Sequence, residues 1–307
     1  MPMLDFRVET FLAVCRHMNF TKAARELNIT QPAVSHHMHY LEQAYGTALF
    51  QHNGKRLQLT EAGEILRRTL LTMKHDEQHL QKRMQQAASG TRDYSFGATL
   101  SVAEFMINEA LGRFLHLHPD SRIRMQVADT KVLLSKLDSG ELDFAVVEGD
   151  FPKAEYDFFV FGTEEYVAAA APDKAVRYRG RQLTQMLDEP LLLREEGSGT
   201  RVILEYYLKE RGLAAADFAR TVEIGNIGAI KTLLKSGYGV SFLYRAAIRP
   251  EEAAGTLGVI ELSDFQLRHD IMFLFPKNSN FRADYTTIFQ ELRACAQADG
   301  ACACPEA

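Results

Sequence analysis

The sequence predicts an α+β chain of several domains: an N-terminal winged helix-turn-helix, one long linker helix, and a two-lobed α/β body. Three observations carry this. Residues 20–60 read FTKAARELNITQPAVSHHMHYLEQAYGTALFQHNGKRLQLT, two helical patterns at a tight polar turn followed by a hairpin signal. Residues 60–88 place apolar side chains at spacings that alternate between 4 and 3. From about residue 91 onward, short apolar runs alternate with helical patterns, and they do so in two successive sets. A chain of 307 residues is also too long for one comfortable core.

In the head, Asp5 can cap a first helix reaching about His17, with Phe6, Phe11, Leu12 and Val14 turned inward. Thr21 is placed to cap a second, whose small Ala23 and Ala24 let a neighbouring helix come close. Thr30 caps a third, and Pro32 is tolerated in its first turn. Val34, Met38 and Leu41 fall at i, i+4 and i+7, so this helix buries one face. Its other face offers Gln31, Ser35, His36 and His39, all hydrogen-bonding types. Asn53-Gly54 between Leu49-Phe50 and Leu57-Leu59 predicts a two-residue hairpin, the wing. In this fold the helix after the turn enters the major groove of double-stranded DNA.

Thr60 starts the long helix, which runs to about Ala88. Leu66, Leu70, Met73, Leu80 and Met84 form a heptad seam, with Glu77 in one seam position, and predict a two-stranded coiled coil and hence a homodimer. The alternative is an amphipathic helix packed on its own chain. His75 and His79 have metal-ligand spacing, but HDEQH is not the HExxH of metalloproteases, so they are expected on solvated surface. No metal and no cofactor is expected.

Ser89-Gly90-Thr91 reads as a hinge. Strands are then expected at 95–100, 123–127 and 143–147, with helices at 103–117 and 131–137. A second set has strands at 166–171, 190–193, 221–224 and 240–243, and helices at 200–211 and 227–236. A strand at 271–275 and a helix at 281–296 return to the first lobe. Two sets in about 210 residues imply two lobes with a crevice between them.

The net charge of −5 is uneven. Residues 1–60 hold six Lys or Arg and four acids, leaving −7 for the remainder, and five of the ten histidines lie there too. A mildly basic head on an acidic body suits specific nucleic-acid binding. No apolar run approaches the length of a membrane span, and no signal-peptide core is present, so the chain is expected in the cytoplasm. Cys15 reads as a buried thiol beside Phe11 and Leu12, while Cys295, Cys302 and Cys304 crowd a frayed tail.

The run Thr21-Lys22-Ala23-Ala24, Leu27, Gln31-Pro32-Ala33-Val34-Ser35, Leu41-Glu42, Leu49-Phe50 and Leu59-Thr60-Glu61-Ala62-Gly63 resembles the LysR-type transcriptional regulators of bacteria. The pattern is long and specific, and a looser resemblance extends over the whole chain. His36 and His52 depart from it, standing where members usually carry arginine. The resemblance implies a body like the periplasmic solute-binding proteins, with chain crossings near Gly162 and Leu267. Its domains would be 1–62 for the head, 63–90 for the linker, 91–300 for the body and 299–307 for a flexible tail. The first lobe would take 91–161 and 268–298, and the second 162–267. Dimers would pair into tetramers, with RNA polymerase a candidate further partner. DNA contacts are expected from Thr21, Lys22, Thr30, Gln31, Pro32, Ser35, His36, His39, His52, Lys55 and Arg56.

In the body, Arg194-Glu195-Glu196-Gly197-Ser198-Gly199-Thr200-Arg201 follows a strand and opens a helix. Glycines there let backbone N–H groups converge, and helix N-termini favour anions. Thr99, Ser101 and Thr130 occupy similar strand-to-helix junctions. The resemblance makes these three loops the lining of an effector crevice, with Thr99, Ser101, Thr130, Ser198, Gly199, Thr200 and Arg201 as candidate contacts. A site rich in donors and poor in acceptors selects a small anion. Arg201 could instead pair with Glu195 or Glu196, and Gly225-Asn226-Ile227-Gly228 could either approach the crevice or merely cap a helix. Nothing reads as an enzyme: there is no GxSxG elbow, phosphate loop or dinucleotide fingerprint. The competing reading is a small-molecule enzyme with an accessory nucleic-acid-binding domain. A solute carrier is disfavoured by the missing signal peptide.

Overall fold

The computed structural model describes residues 4–54 and 56–297. The chain opens with α1 (Phe6–His17), α2 (Phe20–Glu26) and α3 (Gln31–Tyr45). Caps set their starts. The Asp5 carboxylate accepts from the Arg7 amide at 2.8 Å, and the Thr30 hydroxyl accepts from Ala33 at 3.4 Å. Thr21 does not cap α2; Asn19 does, accepting from the Lys22 amide at 2.9 Å, so the helix begins before Thr21. Val34, Met38 and Leu41 turn into one core with Phe11, Leu12, Ala23 and Ala24. The wing is β1 (Phe50–Asn53) antiparallel to β2 (Arg56–Leu59). Asn53 pairs with Arg56, so the turn starts at Gly54, one residue later than the Asn-Gly pattern suggests.

Next comes α4 (Glu61–Ser89), 29 residues long. The Thr60 hydroxyl accepts from the Gly63 amide at 3.0 Å and donates to the Ala48 carbonyl at 2.7 Å, tying the helix start to the wing. Gly63 has no room for a side chain: a Cβ there would stand 2.2 Å from the Leu49 carbonyl oxygen. The heptad reading needs two corrections here. Leu70 is buried in the head's own core, and Leu66 packs beside it. Burying a leucine is worth about 1.5–3 kcal/mol, and α1 supplies the cover. The apolar side chains that α4 leaves exposed are Ile65, Met73, Leu80 and Met84. Lys74 pairs with Glu9 of α1.

The opposite face of α4 is a polar clasp on the body, and this overturns the solvated reading of His75 and His79, which are both buried. His75 Nε2 donates to the Leu142 carbonyl at 2.9 Å, and burial pushes its pKa down to about 4, so the ring is neutral. His79 lies between Asp143 and Asp284, at 3.6 and 3.3 Å. Lys82 donates to Asp143 at 2.7 Å. Asp76 accepts from the Ser279 hydroxyl and from both the amide and the side chain of Asn280, the latter two at 2.9 Å. Arg67 reaches Glu155 at 2.6 Å. Helical spacing shows that a face is polar; only the partner's carbonyls and carboxylates decide that it is buried.

The body runs β3 (Arg92–Ala98), α5 (Leu100–Phe105), α6 (Asn108–Leu117), β4 (Ser121–Val127), α7 (Thr130–Ser139), β5 (Phe144–Val147) and β6 (Tyr156–Ala170). Then follow α8 (Pro172–Tyr178), β7 (Pro190–Leu193), α9 (Gly199–Glu210), β8 (Arg220–Glu223), α10 (Ile227–Lys235) and β9 (Val240–Tyr244). The chain continues through α11 (Arg245–Ala253), β10 (Gly258–Ile260), β11 (Leu267–Pro276) and α12 (Arg282–Gln297). Strand order is β4-β3-β5-β11-β6-β9-β7-β8, with β10 beside β6. The sets β4-β3-β5 and β9-β7-β8 are parallel, as alternation of strands and helices predicts. They are joined by β6 and β11, a long antiparallel pair whose register slips at Ile271/Met272, near Gly162. The helix expected at 103–117 is broken into α5 and α6, because Met106 leaves helical geometry and Ile107 turns into the core.

Cys15 is half-buried, and burial pushes its thiol up to about 12. Cys295 is not in a frayed tail: it is buried on α12. Cys302, Cys304 and the expected tail lie outside the described residues. Among the described residues no helix is long and apolar enough to cross a membrane.

Candidate nucleic-acid interface and ligand crevice

Because Val34, Met38 and Leu41 point inward, the outer face of α3 is fixed in composition. Gln31, Pro32, His36 and His39 are exposed there and Ser35 is half-buried. Gln31 Nε2 donates to Ser35 Oγ at 2.9 Å, and His39 bonds Gln43 at 2.9 Å, so two of these groups are already oriented along the helix. Thr21 and Lys22 on α2, Thr30 at the cap, and His52 and Arg56 on the wing are exposed as well. Lys55, also expected on this face, lies outside the described residues. His37 faces the other way and bonds Thr10 at 2.9 Å, which separates it from His36 and His39. Among the described residues no group of three or more metal-binding side chains occurs.

The body's junction residues come together where the lobes meet. Thr99 is the N-cap residue of α5 and Ser198 that of α9, and neither side chain caps its own helix. Thr99, Ser101, Ser198 and Thr200 are all buried. Ser101 Oγ of the first lobe lies 3.1 Å from Thr200 Oγ1 of the second, so the two lobes touch through these hydroxyls. Tyr166, fully buried on β6, donates to the carbonyls of Thr200 at 2.8 Å and Phe242 at 3.1 Å, fixing the first turn of α9. Gly197 sits at φ 92°, in left-handed space that a side chain would strain, and lets the chain turn into α9. Thr130 is half-buried at the start of α7, under Gly149.

Two expectations fail here. Arg201 does not reach into the crevice, and it pairs with neither Glu195 nor Glu196. It donates to Glu205 and Glu223, each at 2.7 Å, the acids its own lobe places within reach. Nor is the crevice poor in acceptors. Glu148, at the end of β5 and only 2% exposed, accepts a hydrogen bond from Thr99. A Cβ on Gly199 would be 3.5 Å from its Oε1, so the carboxyl group lies against the first turn of α9 in the other lobe. Burial raises its pKa to about 7, opposed by its own backbone amide, by Arg194 and by Ser101.

Arg194, one of these partners, is also a site residue that the sequence reading did not single out. It is buried; its Nε and Nη2 donate to Glu195 at 2.7 and 2.6 Å, and its Nη1 is buried with no hydrogen-bond partner. Glu148 was legible in principle: Ala145-Val146-Val147-Glu148-Gly149 carries an apolar strand straight into a carboxylate at its carboxyl end, where open α/β sheets bind ligands. Asn226 settles the other glycine turn, since its side chain caps α10 by accepting from Ala229 at 2.9 Å.

A winged head, a long linker helix and two lobes meeting over buried hydroxyls define a ligand-responsive, DNA-binding regulator. The family model of the LysR substrate binding domain matches residues 88–296, and that of the bacterial regulatory helix-turn-helix protein, lysR family, matches residues 7–64. The chain belongs to the LysR family of transcriptional regulators and is not an enzyme. It is 29% identical over 299 residues to a RuBisCO operon transcriptional regulator of Acidithiobacillus ferrooxidans, covering 96% of this chain and 94% of that one. It is 30% identical to the regulator CfxR of Cupriavidus necator, covering 84% and 80%. Among solved structures it is similar to full-length LysG of Corynebacterium glutamicum with its effector arginine bound. That likeness has a TM-score of 0.60 at 19% identity over 96% of this chain and 98% of that one. The regulatory domain of Synechocystis CcmR in complex with 2-PG also matches, at TM-score 0.60 and 19% identity, covering 68% and 99%.

Proposed function

We propose that the regulator answers to a small anionic metabolite held between its lobes at Thr99, Ser101, Ser198, Gly199 and Thr200, with Thr130 at the rim. The observation that carries this is the Ser101–Thr200 contact, which brings hydroxyls from both lobes and the N-terminus of α9 to one point. LysG, which shares the fold, has a bound effector, arginine, a molecule with a carboxylate. A ligand that closes the lobes must bind one arrangement better by a few kcal/mol to switch the protein. A thermal-shift screen of small carboxylates and oxyanions identifies the ligand by the rise in unfolding midpoint. For that ligand, Thr200→Val keeps the shape and removes one hydroxyl. Affinity measured by calorimetry drops about tenfold or more, roughly 1–3 kcal/mol, while DNA binding without ligand is unchanged. A valine variant that binds normally refutes the site.

On the head, Ser35 and His36 are the base-reading candidates, while Thr21, Lys22, Thr30, Gln31, Pro32, His39, His52, Lys55 and Arg56 complete the DNA face. Arg56→Ala should weaken binding to every sequence alike and flatten the salt dependence by about one unit. Titrations at several salt concentrations with an unchanged slope remove Arg56 from the interface. Assembly is assigned to the exposed stripe of α4, giving a two-fold dimer with half-sites spaced by whole turns of about 34 Å. Pairing of dimers into a tetramer, action on RNA polymerase and a cytoplasmic location complete the reading.

A further inference from the structure

We infer that Glu148 is a built-in occupant of the anion site, a carboxyl group of one lobe that fills the other lobe's helix N-terminus when no ligand is present. It thereby determines which ligands can enter. This rests on the crevice being the effector site. Four observations converge on it. Glu148 accepts from Thr99 of its own lobe, and its carboxyl group packs against Gly199 at the first turn of α9 in the other. That turn offers its amides there, because Ser198 does not cap it with its own side chain. Arg194, buried beside it, keeps Nη1 without a hydrogen-bond partner, so one cationic donor remains unused there. The hydroxyls of Ser101 and Thr200 meet across the seam, and Ser101 also hydrogen-bonds Glu148. The two lobes thus meet over this carboxyl group, which takes up Thr99 and Ser101, two of the groups a free anion would use.

A consequence for specificity follows. An entering anion must replace the Glu148 carboxylate or share a dry site with it, and two negative charges at that distance exclude one another. The groups facing Glu148 are Arg194 at the end of β7, Asp129 before α7, Ser101 on α5, and Tyr244 on β9. Only Arg194 among them is positive, so a second anion is tolerated when Glu148 is protonated. With its pKa raised to about 7, Glu148 is protonated below that value and ionised above it. Anion affinity is thus greatest below pH 7 and falls as pH rises, approaching tenfold per unit. A compact monoanion fits this site, and a bulky or doubly charged one is rejected.

The test uses the full chain without effector, comparing wild type with Glu148→Ala and Glu148→Gln by amide hydrogen exchange at the first turns of α5 and α9. Glu148→Ala removes the occupant, so exchange there rises at least about tenfold. Acetate, a free carboxylate, restores protection in this variant and has far less effect on wild type. Glu148→Gln keeps the shape without the charge: its protection, exchange measured against the free-chain rate at each pH, stays constant from pH 5 to 7, where wild type loses protection as Glu148 ionises. Equal exchange in Glu148→Ala and wild type overturns the inference, as does acetate acting equally on both. Should the alanine variant fail to fold, a glutamine variant with the wild-type pH profile overturns it alone. An effector that proves cationic or neutral would sink the anion reading while leaving this ligand-free comparison to stand by itself.

Discussion

Leu80→Asp should leave the protein as single chains in solution and cost most of its affinity for a two-half-site operator. Leu80 is 37% exposed on a helix whose neighbouring exposed apolar side chains are Met73, one heptad earlier, and Met84, one turn later. In a two-fold pairing of α4 each such residue meets its own copy. Aspartate there forfeits the burial of the exposed third of the side chain, about 0.5–1 kcal/mol per chain, and sets two desolvated carboxylates against each other at the seam. Together these weaken association by roughly a thousandfold or more at about 1.4 kcal/mol per tenfold. Light scattering and footprint length read the result, and an unchanged mass removes α4 from the interface. Leu70→Ala is the informative contrast. Leu70 packs inside the head, so its loss should lower the head's stability by about 2–5 kcal/mol without changing the mass of the folded protein.

The second large effect is expected at Asp76, where one carboxylate takes three donors from the loop before α12: the Ser279 hydroxyl, and the amide and side chain of Asn280. Asp76→Ala leaves those donors without their acceptor in a buried place. Each unmade bond to a charged group costs about 1.5–3 kcal/mol, so a loss near 3 kcal/mol is a conservative figure. Thermal unfolding should fall accordingly, and amide exchange should rise at 279–281 and along the middle of α4. The head and the lobes should keep their own protection, because neither core includes Asp76. Exchange that rises uniformly would show that the clasp is no separate unit. The same variant should blunt the response to effector, since it loosens the helix that connects lobe to head.

The head was legible almost residue by residue because its signals are local. A cap needs an oxygen two or three residues before an amide, and an amphipathic face needs only the 3.6-residue period. Thr30, Pro32, Val34, Met38 and Leu41 therefore determine α3 without reference to the rest of the chain. Alternation of apolar runs and helical patterns likewise determined two parallel strand sets. The one misplaced cap, Thr21 for Asn19, is a competition between two good capping residues two positions apart.

What the sequence could not determine is who covers a face. Leu66 and Leu70 share the period of Leu80 and Met84, yet the first pair lies under the chain's own head and the second remains exposed. His75 and His79 look solvated until Leu142, Asp143 and Asp284 arrive from residues far along the chain. The crevice shows the same division. Local sequence determined that Thr99, Ser198 and Thr200 stand at strand-to-helix junctions. Only the tertiary structure brought Ser101 against Thr200, turned Arg201 toward Glu205 and Glu223, and set the Glu148 carboxyl against α9. Periodicity and capping act over a few residues and are written in order along the chain. Burial and ion pairing depend on groups that, for His79 and Asp284, stand 205 residues apart, and their strength depends on the dielectric that the fold itself creates.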